Sequence, residues 1–503
     1  MPFAPPPRLP RCGVVDLGSN SVRLVVYEGH TRNPLPIFNE KAVLRLGRGL
    51  QATGRLNEEG MELALTVMHR YHAVARAMAV HPFEVLATAA VRDAANGPAF
   101  VEALQKRMPG VTIRILSGEE EAAYSADGTL CGIPDARGVL ADIGGGSLEV
   151  IRLADGQRCE SQTLPLGVIR LAERSGGDLA KARALTDADL DSVAWLTQAT
   201  GSDLYLVGGA WRAMARVHML QAAYPLAMVH RYTIAREEAR TLADMLTTAP
   251  RRNLERLPGV PRRRIDDLPF AGVVLRRLLR RTEARRVVFS ASGLREGWFM
   301  RRMPAAIREQ EPLHSAAWEL AARHGRDPDL PPALIEWTRP VFRTERPGAA
   351  KLREAACWMS DIGSHDHPEF RAEQAFLRVL RQPGVGLDHP SRAFLALAVA
   401  GRYDAAADAA FLRPARLLLD IDSANRAELL GIALGLAYTL SAGTKDLLAG
   451  TWLRIEGTKL VLHLRPNSGV FGGEAVIRRL ERLAQAMGLA ASAVEDLGEA
   501  AAE

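Results

Sequence analysis

The sequence predicts an α/β fold built from two similar halves and followed by a helical region. An internal sequence repeat indicates that the two halves arose by duplication: residues 13–26 read GVVDLGSNSVRLVV and residues 138–151 read GVLADIGGGSLEVI. Each segment is an apolar run that reaches an aspartate, makes a tight Gly/Ser turn and resumes as a strand-like run. Asp16 and Asp142 mark equivalent points about one small domain apart. We therefore expect two halves of one kind that face each other.

Strands and helices alternate along both halves, which is typical of mixed sheets covered by helices. The first half predicts strands at 42–46, 83–90 and 112–116, and helices at 58–79, 98–107 and from Ser117 onward. The second half predicts strands at 139–143, 148–153 and 204–207, and helices at 166–175 and 187–199. Beyond about residue 305, amphipathic patterns predict helices at 315–324, 349–359 and 368–380. Near the end, 451–456 and 459–464 predict a hairpin, and 474–487 a closing helix.

The chain of 503 residues is too long for one hydrophobic core, so several domains are expected. The predicted regions are a disordered, proline-rich N-terminus at 1–11, α/β domains at 12–128 and 129–304, a helical domain at 305–440, and a small α+β region at 441–503.

Composition excludes several classes of protein. The sequence has no run of about 18 apolar residues and no signal-peptide pattern, so we expect no membrane span. The four cysteines are scattered without C-x-x-C spacing, which favours a reducing cytoplasm over a zinc site or a disulfide framework. Aromatic residues are only 6%, so no stacking surface for nucleic acid is expected. The net charge of +6 allows an anionic partner, but nearly all of it is arginine in an alanine-rich chain, which is weak support.

Two glycine-rich turns are the first candidate site. We define the first turn as Asp16–Ser21 (DLGSNS) and the second turn as Asp142–Ser147 (DIGGGS). Such a reversal directs several backbone N–H groups into one concavity, which suits phosphate oxygens. One turn alone is more often an ordinary hairpin, whereas two, each preceded by a strand aspartate, favour opposed phosphate loops. The predicted phosphate-binding residues are Gly18, Ser19, Asn20, Ser21, Gly144, Gly145, Gly146 and Ser147.

Three carboxylates near these turns suit a divalent cation. Asp16 and Asp142 begin the turns, and Glu149 follows Ser147 by two, which places both on one strand face. Magnesium prefers one or two carboxylates together with water and phosphate oxygens. These three residues are the predicted metal ligands, although a solvated strand residue is the plainer interpretation of Glu149.

The segment Ser117–Glu121 reads SGEEE and predicts a helix start. Ser117 and Glu120 fit a capping box, which gives Glu120 a structural role. Glu121 is then free to act as a general base. Arg92 follows a predicted strand at the edge where ligands bind in α/β folds. Arg23 shares a strand face with Ser21, and either arginine is alternatively a surface residue.

With these residues assigned, the chain resembles the exopolyphosphatase/guanosine pentaphosphate phosphatase (Ppx/GppA) family of the actin, Hsp70 and sugar-kinase superfamily. The resemblance spans 13–297 and rests on six motifs in order, namely DLGSNS, TAAVRDA, SGEEEA, DIGGGSLE, VGGAWR and SGLREG. It implies that the two α/β domains are ribonuclease H-like.

The resemblance also implies an activity and a set of roles. Glu121 would activate the attacking water, Asp142 and Glu149 would hold Mg²⁺ (Mn²⁺ being the alternative), the two turns would hold phosphates, and Arg92 would contact the substrate. A monovalent cation such as K⁺ is a further expected cofactor. The implied reaction hydrolyses the terminal phosphoanhydride of inorganic polyphosphate and releases orthophosphate. A homodimer is expected on the resemblance alone.

Other functions stay open at this point. Within the same reaction class are a guanosine pentaphosphate 5′-phosphohydrolase, for which guanosine penta- or tetraphosphate would be the ligand, and a polyphosphate:nucleoside diphosphate phosphotransferase. A kinase or actin-like ATPase shares the fold, since VGGAWR and SGLREG lie where that superfamily binds adenosine. A catalytically inactive sensor of polyphosphate or alarmone is a third class, against which the intact Glu121, Asp142 and Glu149 argue.

The helical region departs from the family pattern. Family members often carry an HD-phosphohydrolase-like domain there, but Ser360 stands where the histidine before Asp361 is expected. We therefore predict a non-catalytic HD-like domain that supports binding or dimerisation. The preceding segment, 251–286, holds twelve arginines; within 273–281 the amphipathic pattern VVLRRLLRR predicts a solvated helix face, with a polyanion track through Arg280 and Arg281 as the second hypothesis.

Overall fold

The computed structural model describes residues 9–384 and 386–496. The chain divides into two compact units, Met1–Glu309 and Gln310–Glu503. The predicted disordered N-terminus lies mostly outside the described residues, and Arg11, which was included in it, already begins the first strand. Within the described residues, no helix is long and apolar enough to cross a membrane.

The first sheet of the N-terminal unit has five strands in the order β3-β2-β1-β4-β5. The strands are β1 Arg11–Leu17, β2 Ser21–Glu28, β3 Pro36–Val43, β4 Phe83–Ala87 and β5 Thr112–Ile115. Strands β1 to β3 form an antiparallel meander, while β4 and β5 continue parallel to β1. The helices of this half are α1 Leu50–Thr53, α2 Glu58–Ala77, α3 Ala89–Asp93, α4 Gly97–Arg107 and α5 Gly118–Gly132.

The second sheet repeats this topology with one strand more, in the order β10-β11-β9-β6-β7-β8. The strands are β6 Gly138–Ile143, β7 Leu148–Ala154, β8 Gln157–Leu164, β9 Asp203–Gly208, β10 Tyr232–Ala235 and β11 Arg286–Phe289. Here β6 to β8 form the meander and β9 and β11 continue parallel to β6, whereas β10 is an added antiparallel edge strand. The duplication read from the two turns therefore extends over both sheets.

The second half contributes eight helices to this unit. They are α6 Val168–Ser175, α7 Leu179–Asp191, α8 Gly209–Gln221, α9 Arg236–Thr248, α10 Arg251–Arg256, α11 Leu268–Thr282, α12 Leu294–Arg302 and α13 Ala305–Arg308. Short 3₁₀ helices occupy Ala194–Ala199 and Arg262–Arg264.

Helices α5 and α12 cross between the two halves. The apolar face of α5 packs against the second sheet, whereas α12 packs on the first, where Phe299 lies 4.8 Å from Tyr27 between ring centroids. A Cβ added to Gly128 of α5 would lie 1.9 Å from the carbonyl oxygen of Gly293, and one added to Gly297 would lie 1.9 Å from that of Tyr124. Glycine at this crossing therefore allows the backbones of the halves to touch next to the cavity described below.

The C-terminal unit is mainly helical and carries a small sheet. Its helices are α14 Pro312–His324, α15 Leu330–Thr338, α16 Pro347–Met359, α17 Arg371–Leu380, α18 His389–Arg402, α19 Arg413–Arg416, α20 Ile421–Ser441, α21 Lys445–Leu448 and α22 Glu474–Ala486, with 3₁₀ helices at Arg339–Phe342 and Ala410–Leu412. Strands β12 Thr451–Glu456 and β13 Lys459–Leu464 form the predicted hairpin, and β14 Ala491–Asp496 pairs parallel with β13.

Several predicted elements differ from the structure. The strand predicted at 83–90 ends at Ala87, since the chain turns there into α3. The helix predicted at 187–199 is the end of α7 followed by a 3₁₀ helix. The pattern missed β8, β10 and β14, which lie at sheet edges, and β11, which is only four residues long and too short for a clear periodic signal.

Candidate active site

The two glycine turns form the same hairpin and meet face to face. The backbone N–H of Gly18 donates to the carbonyl oxygen of Ser21 at 3.1 Å, and that of Gly144 donates to Ser147 at 3.0 Å. A Cβ at Gly146 would lie 2.9 Å from Oγ of Ser19, so the first turn approaches the second closely enough to require glycine there. The turns thereby close one end of a cavity between the halves.

This cavity has a volume of about 170 Å³. Its lining brings together all of the predicted phosphate-binding and metal-ligating residues except Arg92, and also includes Glu121. The predicted site residues that line it are Asp16, Gly18, Ser19, Asn20, Ser21, Glu121, Asp142, Gly144, Gly145, Gly146, Ser147 and Glu149. Residues far apart in sequence therefore converge, because equivalent hairpins of the two sheets end at the same cleft.

A buried acidic wall belongs to the second half. Asp142 on β6 lies directly opposite Glu149 on β7 and accepts a hydrogen bond from Oγ of Ser125 at 2.6 Å. Oε1 of Glu149 is buried and has no hydrogen-bond partner. Burial raises the pKa of both carboxyl groups, and for Glu149 the charges of Glu121 and Asp142 add to the effect. A buried carboxylate with an unpaired oxygen, as in Glu149, favours the arrival of a cation.

Glu121 occupies the position that the capping box predicted. Oγ of Ser117 accepts from the N–H of Glu120, whose carboxylate in turn accepts from the N–H of Ser117. Glu121, the next residue, is buried instead and faces the cavity. Burial raises the pKa of Glu121 to about 7, although the Arg92 guanidinium opposes this shift. A carboxylate with a pKa near the working pH is suited to general acid–base catalysis.

Arg92 follows the carboxyl end of β4, as the sequence predicted. It lies on α3 and outside the cavity lining, and its guanidinium binds the carboxylate of Glu121. The same group donates to the carbonyl oxygen of Leu116 at 2.8 Å and to Asp93 at 3.2 Å. In this structure Arg92 therefore contacts the candidate base directly, and a role as a substrate contact stays a prediction.

A basic wall on the other side of the cavity was largely missed. Side chains of Arg23, Lys41, Arg212, Arg264 and Arg295 line it, and a second cavity of about 310 Å³ shares these five residues and adds Arg216 and Arg263. Two of the arginines that the sequence analysis did not assign to the site, Arg212 and Arg295, lie within the motifs VGGAWR and SGLREG.

The cations of this basic wall are crowded. Burial, with the neighbouring arginines, lowers the pKa of Lys41 to about 7 and that of Arg212 to about 10. Nε of Arg23 is buried without a hydrogen-bond partner, and Arg295 reaches Asp16 at 3.8 Å. Mutually repelling cations with unused donors indicate a site for a polyanion.

The arginine-rich segment divides between two environments. Arg276 and Arg277 on α11 pair with Asp244 and Asp187 on neighbouring helices, as expected of a solvated helix face. Arg264, by contrast, lies in the 3₁₀ helix and reaches Gly209 at the cavity. The predicted polyanion track through Arg280 and Arg281 stays a prediction.

The carboxylates fit a metal ion that is shared with substrate. Within the described part of the chain, no group of three or more His, Cys, Asp or Glu side chains is arranged to hold a metal by itself. Magnesium is commonly bound by one or two carboxylates, with water and phosphate oxygens completing its shell. Facing carboxylates beside phosphate-cradling turns, one with an unpartnered oxygen, are compatible with that kind of site.

Comparison with known proteins identifies the family. The model of the Ppx/GppA phosphatase family matches residues 25–306, more than half of the chain. The chain belongs to this family. A second model, described as exopolyphosphatase, C-terminal, matches residues 313–494. The resemblance inferred from the six motifs is therefore confirmed.

The Ppx/GppA relatives include exopolyphosphatase 1 of Mycobacterium tuberculosis, 27% identical over 323 residues that cover 61% of this chain and 93% of the relative. Retrograde regulation protein 2 of Saccharomyces cerevisiae is 24% identical over 442 residues, which cover 78% of this chain and 72% of that protein. The crystal structure of an exopolyphosphatase from Cytophaga hutchinsonii covers 57% of this chain and 96% of its own, with a TM-score of 0.52 at 23% identity. The structural likeness and the duplicated sheets support the actin-like fold of the N-terminal unit.

Proposed function

We propose that this chain is an exopolyphosphatase, which hydrolyses the terminal phosphoanhydride of inorganic polyphosphate and releases orthophosphate. The observation that carries the proposal is the division of one cleft into an acidic wall with a candidate base and a basic wall that continues into a second cavity. Membership of a phosphatase family and relatives that are named exopolyphosphatases support the same activity.

In the proposed reaction, the two turns hold the terminal phosphate through their backbone N–H groups and hydroxyls. Glu121 accepts the proton of the attacking water, for which a carboxyl pKa of about 7 is suited. A divalent cation, proposed to be Mg²⁺ with Mn²⁺ as the alternative, would be held by one or two of the carboxylates Asp142, Glu149 and Asp16 together with water and phosphate oxygens, whose charge it would neutralise. Arg23 and Arg295 orient the substrate by charge-assisted hydrogen bonds.

The second cavity favours an inorganic chain over a nucleotide. Seven of its fifteen lining residues are arginine or lysine, and no aromatic side chain of the described residues lines it. A purine ring would find no aromatic stacking partner there, whereas the phosphates of a chain would meet clustered cations. Guanosine pentaphosphate hydrolysis is the second candidate, because its phosphates would be held by the same turns.

Orthophosphate release from long-chain polyphosphate, guanosine pentaphosphate and ATP, each with Mg²⁺, tests the proposal. A Glu121→Ala protein purified in parallel reports contaminating phosphatase. We expect polyphosphate to be the preferred substrate, with orthophosphate and gradually shortened chains on gels. Preferred turnover of guanosine pentaphosphate would replace the proposal by the second candidate, and medium-length fragments would contradict exolytic cleavage. Homodimerisation, a cytoplasmic location, binding of K⁺ and an HD-like origin of the C-terminal helices stay predictions.

A further inference from the structure

Helix α6 is attached to the second turn. The N–H of Val168 donates to the carbonyl oxygen of Gly144 at 3.1 Å, and those of Ile169 and Arg170 donate to Gly145 at 3.0 and 3.1 Å. A Cβ at Gly167 would lie 2.4 Å from backbone atoms of Gly146 and Ser147, so glycine permits this contact. A shift of the second turn therefore carries the start of α6 with it.

From this helix, Arg170 reaches across to the first half of the molecule. Its guanidinium donates to Asp93 at 2.6 Å, and the other oxygen of Asp93 accepts from Nε of Arg92 at 3.2 Å. Arg92 in turn binds Glu121. The four side chains form one continuous series from the second turn to the candidate base, with exposed side-chain fractions of 15%, 30%, 23% and 9% along that series, so exposure is greatest at Asp93 and least at Glu121.

We propose that Arg170 and Asp93 are positioning residues, which hold Arg92 against Glu121 and so align Glu121 with the phosphate bound by the second turn. The inference rests on the proposed function. A guanidinium is planar, and that of Arg92 is held at two nitrogens: Nε donates to Asp93, and Nη1 donates to Glu121 and to the carbonyl oxygen of Leu116. Loss of the Asp93 contact leaves the plane free to rotate and Glu121 free to move with it. Because Arg170 is carried by the second turn, alignment of Glu121 is completed only when the two halves are closed on each other.

A second bridge between the halves offers an internal comparison. Glu173, also on α6, accepts hydrogen bonds from the N–H of Gly49 at 2.7 Å and of Gln51 at 3.4 Å. This bridge helps to hold the halves together but does not touch Arg92. Its removal separates a general effect on closure from a specific effect on Glu121.

The test is a double-mutant cycle in phosphate release with Asp93→Asn, Arg170→Met and the double variant. A misplacement near 1 Å costs up to about 100-fold in rate, so we expect each single variant to lose about tenfold in kcat while KM stays within about twofold. The double variant is expected to be no slower than either single one, because both changes break the same series. Arg170→Lys keeps the charge and is expected to recover part of kcat.

Matched controls are on the same helix. Arg174→Met removes a guanidinium that pairs with Asp189 inside the second half and is expected to leave kcat unchanged. Losses that multiply in the double variant, an effect confined to KM, or an equal fall of kcat in Glu173→Gln would each overturn the proposal. Thermal unfolding confirms that every variant is folded before it is assayed.

A crystal structure of Arg170→Met decides the geometry independently of turnover. We expect Arg92 to have left the Glu121 carboxylate; an unchanged contact would overturn the proposal even in an active enzyme. If wild type releases no phosphate from any substrate, the proposed function fails while this structural outcome still decides the positioning roles.

Discussion

The two halves present the same hairpin to the cleft, but an acid–base pair in the first stands where the second has two acids. Asp16 lies opposite Arg23 across β1 and β2, and at the equivalent step of the second hairpin Asp142 lies opposite Glu149 across β6 and β7. The first half thus supplies its own countercation, whereas the second buries two facing carboxylates. Duplication kept the backbone that cradles phosphate, and divergence at one cross-strand position gives the first hairpin a cation of the basic wall, suited to binding, and the second hairpin a carboxylate of the acidic wall, suited to chemistry.

The unequal compensation has a physical consequence. Burial makes both carboxylates of the second hairpin less stable as anions, and Oε1 of Glu149 has no hydrogen-bond partner, so this wall favours the arrival of a cation or a proton. The cations of the basic wall, which come from both halves, are crowded and would be relieved by a bound polyanion. Each wall is therefore completed by the substrate or its metal, and changes to the two walls should be separable in kinetics.

The largest effect is expected from Glu121→Gln, which changes the candidate base beside the acidic wall. The amide keeps the shape of the side chain but cannot accept the proton, so we expect kcat to fall about 100- to 10,000-fold with little change in KM. Steady-state phosphate release measures both constants. Glu119→Gln is the matched control, since Glu119 is an exposed acid on the same helix. A rise in KM without a loss of kcat would show that Glu121 acts in substrate binding and not as the base.

Glu149→Gln is expected to reduce activity less than Glu121→Gln does, and to raise the stability of the metal-free protein. Loss of a candidate metal ligand should raise the Mg²⁺ concentration needed for half-maximal activity by about tenfold or more. Burial raises the pKa of Glu149 in the folded state, so the folded protein binds more protons than the unfolded chain and this residue destabilises it increasingly as pH rises above the ordinary carboxyl pKa.

Thermal unfolding without metal checks the stability half of that expectation. The variant should unfold on the order of a few degrees above wild type at pH 8. The difference should shrink toward pH 4, where the carboxyl group is protonated in both states. A variant that is less stable than wild type at pH 8 would show that the Glu149 carboxylate already has sufficient compensation in the protein.

On the basic wall, Arg23→Met is expected to raise KM. A charge-assisted hydrogen bond contributes about 1.5–3 kcal/mol, so KM for polyphosphate should rise about 10-fold or more while kcat changes less. Initial rates over a range of chain concentrations measure the split. Arg48→Met controls for the loss of one positive charge, because Arg48 is exposed and outside both cavities. Equal shifts in the two variants would reduce the role of Arg23 to general surface charge.

The sequence predicted the acidic wall better than the basic one, for a physical reason. Asp142, Glu149 and the turn glycines stand within one short hairpin, where strand periodicity fixes which residues share a face. The basic wall is assembled from β2, β3, α8, the 3₁₀ helix at Arg262–Arg264 and α12, so no local spacing indicates it. Arg264 in particular was grouped with surface arginines, because sequence alone does not show which arginine of a run turns inward.

The swapped packing of α5 and α12 was likewise beyond the pattern. Alternating strands and helices predicted two halves, but they did not predict that α5 covers the sheet of the second half and α12 the sheet of the first. The glycines at their crossing were visible in the sequence within longer motifs, and only the structure shows what they contact. Arg92 is a similar case, since its partner Glu121 is 29 residues away.

The smallest expected effect is a dependence of affinity on pH through Lys41. Burial together with Arg264, Arg23, Arg263 and Arg212 lowers the pKa of Lys41 to about 7, so the ammonium is protonated below that pH and neutral above it. Tripolyphosphate binding, measured by calorimetry without divalent metal, should therefore weaken in wild type relative to Lys41→Arg by about 3- to 10-fold between pH 6 and 8.5. The arginine stays charged throughout, so its curve reports the titration of the ligand itself. Parallel curves for the two proteins would mean that Lys41 stays protonated beside its neighbours. The basic wall would then carry its full charge even without substrate.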